Sequence, residues 1–382
     1  FEARKGQRLV VDVCARELVP YLAEAVPGWF QATVTLYDAE GSELAYHDDY
    51  HFHPDPVLLF EVPEDGEYVL EVRDAIHRGR EDFVYRITLA ERPFVLSMFP
   101  LGGRVGTAPT ASIEGWNLEP EKVRLPTRRG PEDIREFVWS RSKLRANPVL
   151  HAVGDLPEKT ESAPNASPDN PQLLPVPCVV NGRIAHPGEV DCYRFKGRVD
   201  QEIVIEVQAR RLGSPLDSLI RLTDAAGYVL AWNDDHPDRR AGLVTHQSDS
   251  YIRVRLRATE TYSLRVSDAQ GHGGEAFAYR LRVSRPRPDF AAIFTPASVN
   301  VPAGGQTAVD LTCWNLPADR LTLDTTDKVA GIYHLSVRKG YSTSNRVPFA
   351  VVTLPEFREK ESNDSPQAAQ PVTLPTIVNG RI

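Results

Sequence analysis

The chain has one methionine, Met98, and four cysteines among its 382 residues. No two cysteines have Cys-x-x-Cys spacing, which argues against a thiol redox site or a haem attachment site. No apolar run approaches the ~20 residues of a membrane-spanning helix. The motifs of zinc peptidases, α/β-hydrolases, P-loop proteins and Rossmann-type enzymes are also missing. These absences predict that the chain is not an enzyme.

Basic residues are fewer than acidic ones: the chain has 44 Lys and Arg and 52 Asp and Glu, which gives a net charge of −8. Nucleic acid and anionic membranes are therefore disfavoured as partners, and divalent cations suit the surface better. The 31 prolines and 25 glycines punctuate the sequence closely. Such punctuation favours many short strands over long helices.

Two of the cysteines leave an alternative open. Cys178 and Cys192 flank a predicted turn at 184–188 and could face each other across neighbouring strands. They would then form a disulfide. The alternative, which we prefer, is that the cysteines are small buried apolar residues, so cysteine usage does not settle the redox compartment.

A repeat organises the chain. Trp116-Asn117-Leu118 returns 198 residues later at 314–316. Leu156-Pro157-Glu158 and the Val-Asn-Gly-Arg-Ile segment at 180–184 return at the same offset of 198. A second set of segments returns at offsets of 186 or 194, and the change falls in a loop, where length differences are tolerated; these are 36–41, 68–74 and 85–89, repeated at 222–227, 262–268 and 279–283.

The repeat predicts five units, which alternate between a large and a small module. They are a large module lacking its first strands (1–93), a small module (94–157), a complete large module (158–287), a second small module (288–355) and the opening strands of a further large module (356–382). Polar and apolar residues alternate in several segments, which predicts antiparallel sandwiches with one buried and one wet face. The best candidate for a short helix is 16–25.

The large module resembles the bacterial pre-peptidase C-terminal domain. The resemblance rests on Glu-x-Glu-x-Asn-Asp-Ser-Pro at 359–366, Gly188-Glu-Val-Asp191-Cys-Tyr-Arg-Phe195, Asp224-Ala-Ala-Gly227 and the strands closing with Tyr262 and Tyr279. It implies a non-catalytic, jelly-roll-like β-sandwich of the kind that accompanies secreted peptidases. Some members bind calcium and a fibrous substrate.

The small module resembles immunoglobulin-like domains of the IPT/TIG type, through Phe99-Pro100-Leu-Gly-Gly103 and Gly115-Trp-Asn-Leu118. Chains that alternate the two modules resemble large secreted or surface proteins of planctomycete-type bacteria. Together the resemblances imply an all-β chain of tandem sandwiches in an extracytoplasmic location.

The strongest candidate site is the acidic lead-in of the large module. In the tail it comprises Glu359, Glu361, Asn363 and Asp364, of which the first three should share one face of an extended segment. Clustered carboxylates supply the oxygens that calcium requires. In calcium-binding relatives the lead-in acts together with an Asp-x-Asp.

The complete central module carries an altered version of this site. Its lead-in keeps Glu161 and Asn165, and the resemblance places the second ligand pair at Glu189 and Asp191. Two alanines, Ala163 and Ala166, stand where the tail has Glu361 and Asp364. Calcium binding is therefore expected to be weakened or lost in the central copy, and a solvated acidic linker is the alternative throughout.

Two further sets of residues are weaker candidates for a metal site. Asp217, Asp234 and Asp235, with Asp224 nearby, could bind a cation or could simply form turns. His51 and His53 would share a face in an extended segment near Asp48 and Asp49, as a zinc site requires, or could belong to an ordinary exposed loop.

Three functions follow as hypotheses. The first is a structural or adhesive spacer, rigidified by calcium and connected to other domains of the same polypeptide. The second is an appendage of a secreted hydrolase that binds protein or polysaccharide and so directs the hydrolase to its substrate. The third is head-to-tail self-association, in which the tail strands of one chain complete the first module of the next by strand addition. Of the five tryptophans, Trp116 and Trp314 are expected in cores, and an exposed one could stack on a sugar.

Overall fold

The computed structural model describes residues 1–380 apart from the following positions: 17–29, 52, 131–132, 163–164, 237–247, 287–288, 296–297, 301–305, 315–319, 327, 336–337, 340–341 and 344–346. Regular structure in the described residues is β-strand, apart from 3₁₀ turns such as Arg210–Leu212 and Pro366–Ala368. The all-β prediction is confirmed. The expected short helix at 16–25 lies almost entirely outside the described residues. In the described part of the chain no helix is long and apolar enough to cross a membrane.

The described residues of the first large module form eight strands. They are β1 (Glu2–Ala3), β2 (Arg8–Cys14), β3 (Ala32–Tyr37), β4 (Glu43–His47), β5 (Val57–Glu61), β6 (Gly66–Glu67), β7 (Val69–Asp74) and β8 (Arg86–Ala90). Two three-stranded antiparallel sheets, β5-β2-β8 and β4-β3-β7, supply the core between them. Their apolar residues alternate along β2 and β3, so that Val11 and Val34 point into the shared interior.

In the part of the first small module that the structure describes, six strands form two three-stranded sheets, β12-β11-β9 and β10-β14-β13. The strands are β9 (Phe94–Phe99), β10 (Gly102–Arg104), β11 (Thr110–Trp116), β12 (Leu118–Arg124), β13 (Ile134–Arg141) and β14 (Leu144–Gly154). Its core includes Ile113 and Trp139. The same cluster takes in Leu212 and Ala278 of the following module, so the core continues across the junction.

The central large module is a sandwich, and its residues outside 163–164 and 237–247 form two five-stranded sheets, β15-β17-β24-β19-β22 and β16-β18-β23-β20-β21. Its strands are β15 (Glu158–Thr160), β16 (Gln172–Leu174), β17 (Cys178–Arg183), β18 (Val190–Gly197), β19 (Glu202–Gln208), β20 (Ser218–Thr223), β21 (Val229–Asn233), β22 (Tyr251–Arg255), β23 (Glu260–Asp268) and β24 (Ala278–Ser284). Buried apolar residues from both sheets form its core, including Phe195, Ile205 and Leu264.

The remaining strands form small sheets, β25-β27-β28, β26-β32-β29 and β30-β31, followed by the pair β33-β34. Their bounds are β25 (Asp289–Thr295), β26 (Ser298–Asn300), β27 (Gln306–Trp314), β28 (Arg320–Asp324), β29 (Gly331–Leu335), β30 (Arg338–Lys339), β31 (Ser342–Thr343), β32 (Val347–Val352), β33 (Glu356–Arg358) and β34 (Ile377–Asn379). Each sheet of the described residues draws its strands from one of the five predicted ranges. The division into folding units stays a prediction.

The repeat in the sequence is also a repeat in strand pairing. In the central module β15 pairs with β17 in parallel, with Glu158 opposite Val179. In the tail β33 pairs with β34 in the same sense, with Glu356 opposite Ile377, the residues 198 positions later. The sheet order β5-β2-β8 of the first module likewise matches β22-β19-β24 of the central one. Copies of one segment therefore adopt one register.

The expectation of one wet face per sheet is wrong for β19 and β24. All seven residues of β24 are buried, as are the five in the middle of β19. Their polar side chains pair with one another: Arg282 Nε donates to Glu206 Oε2 (2.7 Å), and Arg211 Nη1 donates to Glu206 Oε1 (2.8 Å). Burial of these charges requires partners, and an alternating sequence does not reveal that the polar face will be covered.

One buried cation ties the small module to the central module. The Arg280 side chain is 2% exposed, and its Nη2 donates to Glu158 Oε1 at 2.6 Å. Its Nη1 donates to Asn181 Oδ1 at 2.8 Å. Gly102 of the small module lies against the same guanidinium, because a Cβ there would come within 2.8 Å of Arg280 Nη1. The Leu-Pro-Glu and Val-Asn-Gly-Arg-Ile motifs thus meet at one arginine.

The Trp-Asn-Leu motif lies at the preceding junction. Asn117 Nδ2 donates to the carbonyl oxygens of Arg8 (2.7 Å) and Arg92 (3.1 Å) in the first large module. The Arg8 guanidinium sits 3.9 Å from the ring centroid of Trp116, within range of a cation–π interaction. Trp116 is only partly buried and packs at this junction, not in the small module's main core as expected. The side chain of Trp314 lies outside the described residues.

Substituting Glu158 with alanine should destabilise the central module by about 3–5 kcal/mol, because it leaves a buried guanidinium without its counter-charge. Urea unfolding monitored by circular dichroism measures the loss. Glu202→Ala is the matched control, because it breaks the ion pair of Glu202 (35% exposed) with Arg253 (44% exposed). Exposed ion pairs of this kind contribute about 0–1 kcal/mol to the free energy of unfolding. Equal losses in the two variants would contradict the assignment.

Candidate functional site

The central lead-in brings Glu161 and Asn165 against Asp191, as predicted, at one end of the sandwich. The Glu161 backbone N–H donates to Asn181 O at 2.9 Å, and the Cys192 N–H donates to Asn165 O at 2.8 Å. These bonds fix the lead-in beside β17 and β18. Asp191 is fully buried because it lies on the core-facing side of β18.

Two tyrosines complete the arrangement. The Tyr279 hydroxyl donates to Asp191 Oδ2 at 2.5 Å, and the hydroxyls of Tyr193 and Tyr279 lie 2.6 Å apart. Glu189, the other predicted ligand, accepts from the His186 backbone N–H at 2.9 Å through its Oε2. One oxygen of Asp191 is thus occupied, and one oxygen of Glu189 is engaged in a turn.

The site leaves buried polar atoms unsatisfied. Glu161 Oε2, Asp191 Oδ1 and Asn165 Nδ2 are buried and lack a hydrogen bond of ordinary geometry to the described residues, although the side chains of Glu161 and Asn165 lie within reach of the Asp191 carboxyl group. Orphaned buried carboxylate oxygens are costly unless a proton, water or cation reaches them. This is the clearest chemical signal in the described structure.

Burial, with a further contribution from the neighbouring charge of Asp191, raises the pKa of Glu161 to about 8. Burial also raises the pKa of Asp191, against the stabilising hydroxyl of Tyr279. Two buried carboxyl groups side by side cannot both ionise cheaply. The pair therefore favours one shared proton at neutral pH.

Calcium would satisfy the same two oxygens, but the residues present fit it only in part. Calcium takes six to eight oxygens. Here Glu161 and Asp191 offer one free oxygen each, Ala166 has no ligand to give, and Ala163 lies outside the described residues. In the described residues no three His, Cys, Asp or Glu side chains gather closely enough to hold a metal ion.

The tail lead-in is arranged differently from the prediction of an extended strand. Asn363 Nδ2 donates to Glu359 Oε2 at 3.5 Å, which brings these two together. The chain bends at Glu361, which is exposed, as is Asp364. Neither of the two carboxylates forms a hydrogen bond or ion pair with another described residue. The shared face therefore includes Glu359 and Asn363 but not Glu361.

The second acidic set is dispersed over separate contacts. Asp217 lies 3.5 Å from Arg210 and accepts from Gln270 Nε2 at 3.3 Å. Asp234 and Asp235 are exposed, and Asp234 Oδ1 accepts from the following backbone N–H at 3.0 Å. Asp224 caps its turn in the same way, from Tyr228 N at 2.8 Å. These contacts support the turn alternative for Asp224 and Asp234.

The histidine loop does not extend as predicted. The backbones of Tyr50 and His53 pair with each other through two 2.8 Å hydrogen bonds, and His51 between them has a φ of +50°. His51 stacks on the ring of Tyr50, with centroids 4.1 Å apart. The tight turn separates the faces that an extended segment would have shared.

The disulfide alternative is also wrong. Cys14, Cys178 and Cys192 are free, buried thiols, as the preferred interpretation had it. Cys178 lies on β17 and Cys192 on β18, strands that belong to different sheets of the sandwich. Burial raises the pKa of Cys178 to about 11, which suppresses thiolate reactivity.

In the sequence, Tyr279 is recognisable only as a marker of the closing strand. Its counterpart in the first module, Tyr85, is 50% exposed. Tyr279 is fully buried because β17 and β18 cover it in the central module. Its hydrogen bond to Asp191 depends on strands that are distant in sequence, so repeat alignment alone could not reveal it.

Comparisons with known proteins give limited matches. No protein-family model matches the chain. Over 82 residues, 21% of its length, the chain is 39% identical to a probable subtilase-type serine protease of Deinococcus radiodurans, of whose length it spans 10%. The pre-peptidase C-terminal domain of a collagenase from Bacillus anthracis, known from a crystal structure, superposes with a TM-score of 0.24 and 16% identity, over 31% of this chain and 99% of that domain.

The raised pKa of Glu161 predicts a pH-dependent stability. At pH values between the ordinary glutamate pKa of ~4.3 and the raised pKa of about 8, Glu161 holds its proton in the folded chain and has lost it in the unfolded chain. The free energy of unfolding should therefore fall as pH rises through this window. Glu161→Gln removes the titrating group and should flatten this part of the profile.

Urea unfolding of the central module at half-unit steps from pH 5 to 8 measures this slope. Glu119→Gln, an exposed glutamate of the small module, should leave the profile unchanged. An identical slope in the unaltered chain and in Glu161→Gln would show that Glu161 does not hold the proton.

Proposed function

We propose that the chain is a non-catalytic part of a secreted, peptidase-type bacterial protein, in which packed β-sandwiches hold neighbouring domains at a fixed spacing. The observation that carries the spacer role is the junction at Arg280. There the repeated motifs of one unit close on a buried ion pair, and the cores of two modules run together. A junction with a continuous core resists bending in a way that a solvated linker cannot.

The link to peptidases comes from sequence. The similarity to a subtilase-type serine protease covers a small share of both chains. It accords with the resemblance of the large module to domains that accompany secreted peptidases. These two signals favour the appendage hypothesis over adhesion as such. The absence of catalytic motifs from the sequence supports a non-catalytic role for this part.

The spacer role predicts a narrow distance distribution between modules. Spin labels on cysteines introduced at Leu144 and Val199, which are 53% and 54% exposed, report on the small and the central module. Native Cys14, Cys178 and Cys192 are buried and should resist labelling, and Cys313 is replaced by serine. Pulsed electron–electron double resonance between the two labels should give a distance distribution with one narrow peak.

Glu158→Ala, which removes the junction's counter-charge, should broaden this peak, whereas Glu202→Ala should not. The same samples incubated with casein should release no peptides. A broad distribution in the otherwise unaltered labelled chain would sink the spacer proposal, and casein hydrolysis would sink the non-catalytic one.

We also propose that a calcium ion can replace the shared proton at the lead-in. The orphaned oxygens of Glu161 and Asp191 favour this second role. A cation there would link the lead-in to β18 and stiffen the start of the central module. The remaining ligands would be backbone carbonyls and water, which calcium accepts. The acidic lead-in of the tail is a second candidate position.

Calcium at 100-fold excess over its dissociation constant should add about 2.7 kcal/mol to the free energy of unfolding. Thermal melts at pH 7.5 with calcium, with magnesium and with chelator measure the shift. Its loss in Asp191→Asn would assign the ion to the central module, and its loss in Glu359→Gln would assign it to the tail. No shift with calcium, or an equal one with magnesium, would contradict the proposal.

A further inference from the structure

The outer face of the sheet β16-β18-β23-β20-β21 carries a row of large side chains aligned across three strands. Trp232 on β21 stands opposite Arg221 on β20, and Arg221 stands opposite Arg265 on β23. We call these three residues the cationic row. All three are exposed, Trp232 to 61%. Residues directly opposite each other on neighbouring strands share a face of the sheet, and their Cβ atoms lie about 5 Å apart.

The two arginines of the row break a rule of sheet stability. Like charges directly opposite each other on neighbouring strands repel and destabilise the sheet. Neither Arg221 nor Arg265 forms an ion pair or a side-chain hydrogen bond with any described residue, although other arginines of this module do so; examples are Arg210, Arg211, Arg253, Arg280 and Arg282. An unpaired, like-charged pair has no role in holding the sandwich together.

A third arginine lies beside the row. Arg194 on β18 is opposite Ser263 on β23, one pleat along from Arg265. Arg194, Arg265 and Thr223 line a cleft of about 230 Å³ in this face. Asp224 also lines it, and one of its two carboxylate oxygens, Oδ1, accepts from the Tyr228 backbone N–H. Arg194 donates to Pro168 O (3.2 Å) and Ser263 Oγ (3.4 Å), and Thr223 Oγ1 donates to Ser263 O (3.5 Å). Of the two arginines that line the cleft, Arg265 is therefore the one whose guanidinium is open to an anion.

The first module shows that the fold does not require these residues. At the same register it has Tyr46 opposite Thr35, and Thr35 opposite Glu71. Glu71 is paired with Arg73 at 2.6 Å. The sheet thus forms equally well with an aromatic, a threonine and a glutamate in this row. The two arginines are a property of the central copy alone.

We propose that the cationic row and the adjoining cleft bind an acidic polysaccharide, a polymer of uronic acid units. Guanidinium groups recognise carboxylates through paired hydrogen bonds. The exposed indole of Trp232 supplies an apolar surface for the C–H face of a sugar ring. A flat row across three strands suits an extended polymer laid over the sheet, and not a compact ligand enclosed in a pocket.

Charge also separates this partner from nucleic acid. Duplex DNA carries one negative charge per ~1.7 Å of axis, and a chain with a net charge of −8 repels so dense a polyanion. A polyuronate carries one carboxylate per sugar and can meet the local arginines at lower cost. The proposal is independent of the spacer role, since a spacer needs no ligand.

Binding of polygalacturonate fragments to the whole chain, measured by isothermal titration calorimetry at low and at physiological salt, tests the proposal. Affinity should fall with salt, because the contacts are electrostatic. Replacing the arginines with the first module's residues, Arg221→Thr together with Arg265→Glu, should weaken binding roughly tenfold or more. Trp232→Ala should weaken it separately.

Arg255→Thr is the matched control, because Arg255 is exposed on the opposite sheet of the same module. It should bind as the unaltered chain does. Arg221→Thr alone provides a milder variant if the double variant melts at a lower temperature. The proposal is overturned by equal binding to neutral dextran, by tighter binding to single-stranded DNA, by no binding to polygalacturonate, or by equal losses in the Arg255 control.

Discussion

The burial of Arg280 constrains the rest of the central repeat unit. A guanidinium stays charged at any pH a protein meets, so covering it obliges the chain to bring Glu158 and Asn181 to it. Glu158 begins the module, Asn181 belongs to the second strand of the same sheet, and Arg280 lies on the last strand. One charge therefore fixes how the module closes and where the preceding module packs.

The sequence predicts the strands well, because alternation records which residues of β23 face the core. It predicts the repeat even better, since the register of β15 on β17 returns in β33 on β34. Prediction from sequence fails where burial depends on a neighbouring module. The polar residues of β24 alternate with apolar ones, which is typical of a solvent-exposed face, yet they are buried. It also fails at His51, where one left-handed residue reverses a segment that looked extended.

The candidate site shows the same division. The approach of Glu161 to Asp191 is what the family resemblance implies, since it pairs the lead-in with the acidic residues at the start of β18. The hydrogen bond from Tyr279 was not predictable, since it joins residues 88 positions apart across the closed sandwich. Copies of the module share their strand pairing but differ in chemistry, as Glu71 and Arg265 show at one register. The fold is common to the copies, and what each surface can bind is specific to one copy.

The separation between Glu158 and Arg280 has a consequence for synthesis. The two residues are 122 positions apart, whereas the parallel ladder that holds Glu158 to β17 joins residues only about twenty positions apart. As the chain leaves the ribosome, the lead-in ladder can form early, while the charge of Glu158 waits for the final strand. The central module can thus complete its junction with the preceding small module only after its own last strand has been made.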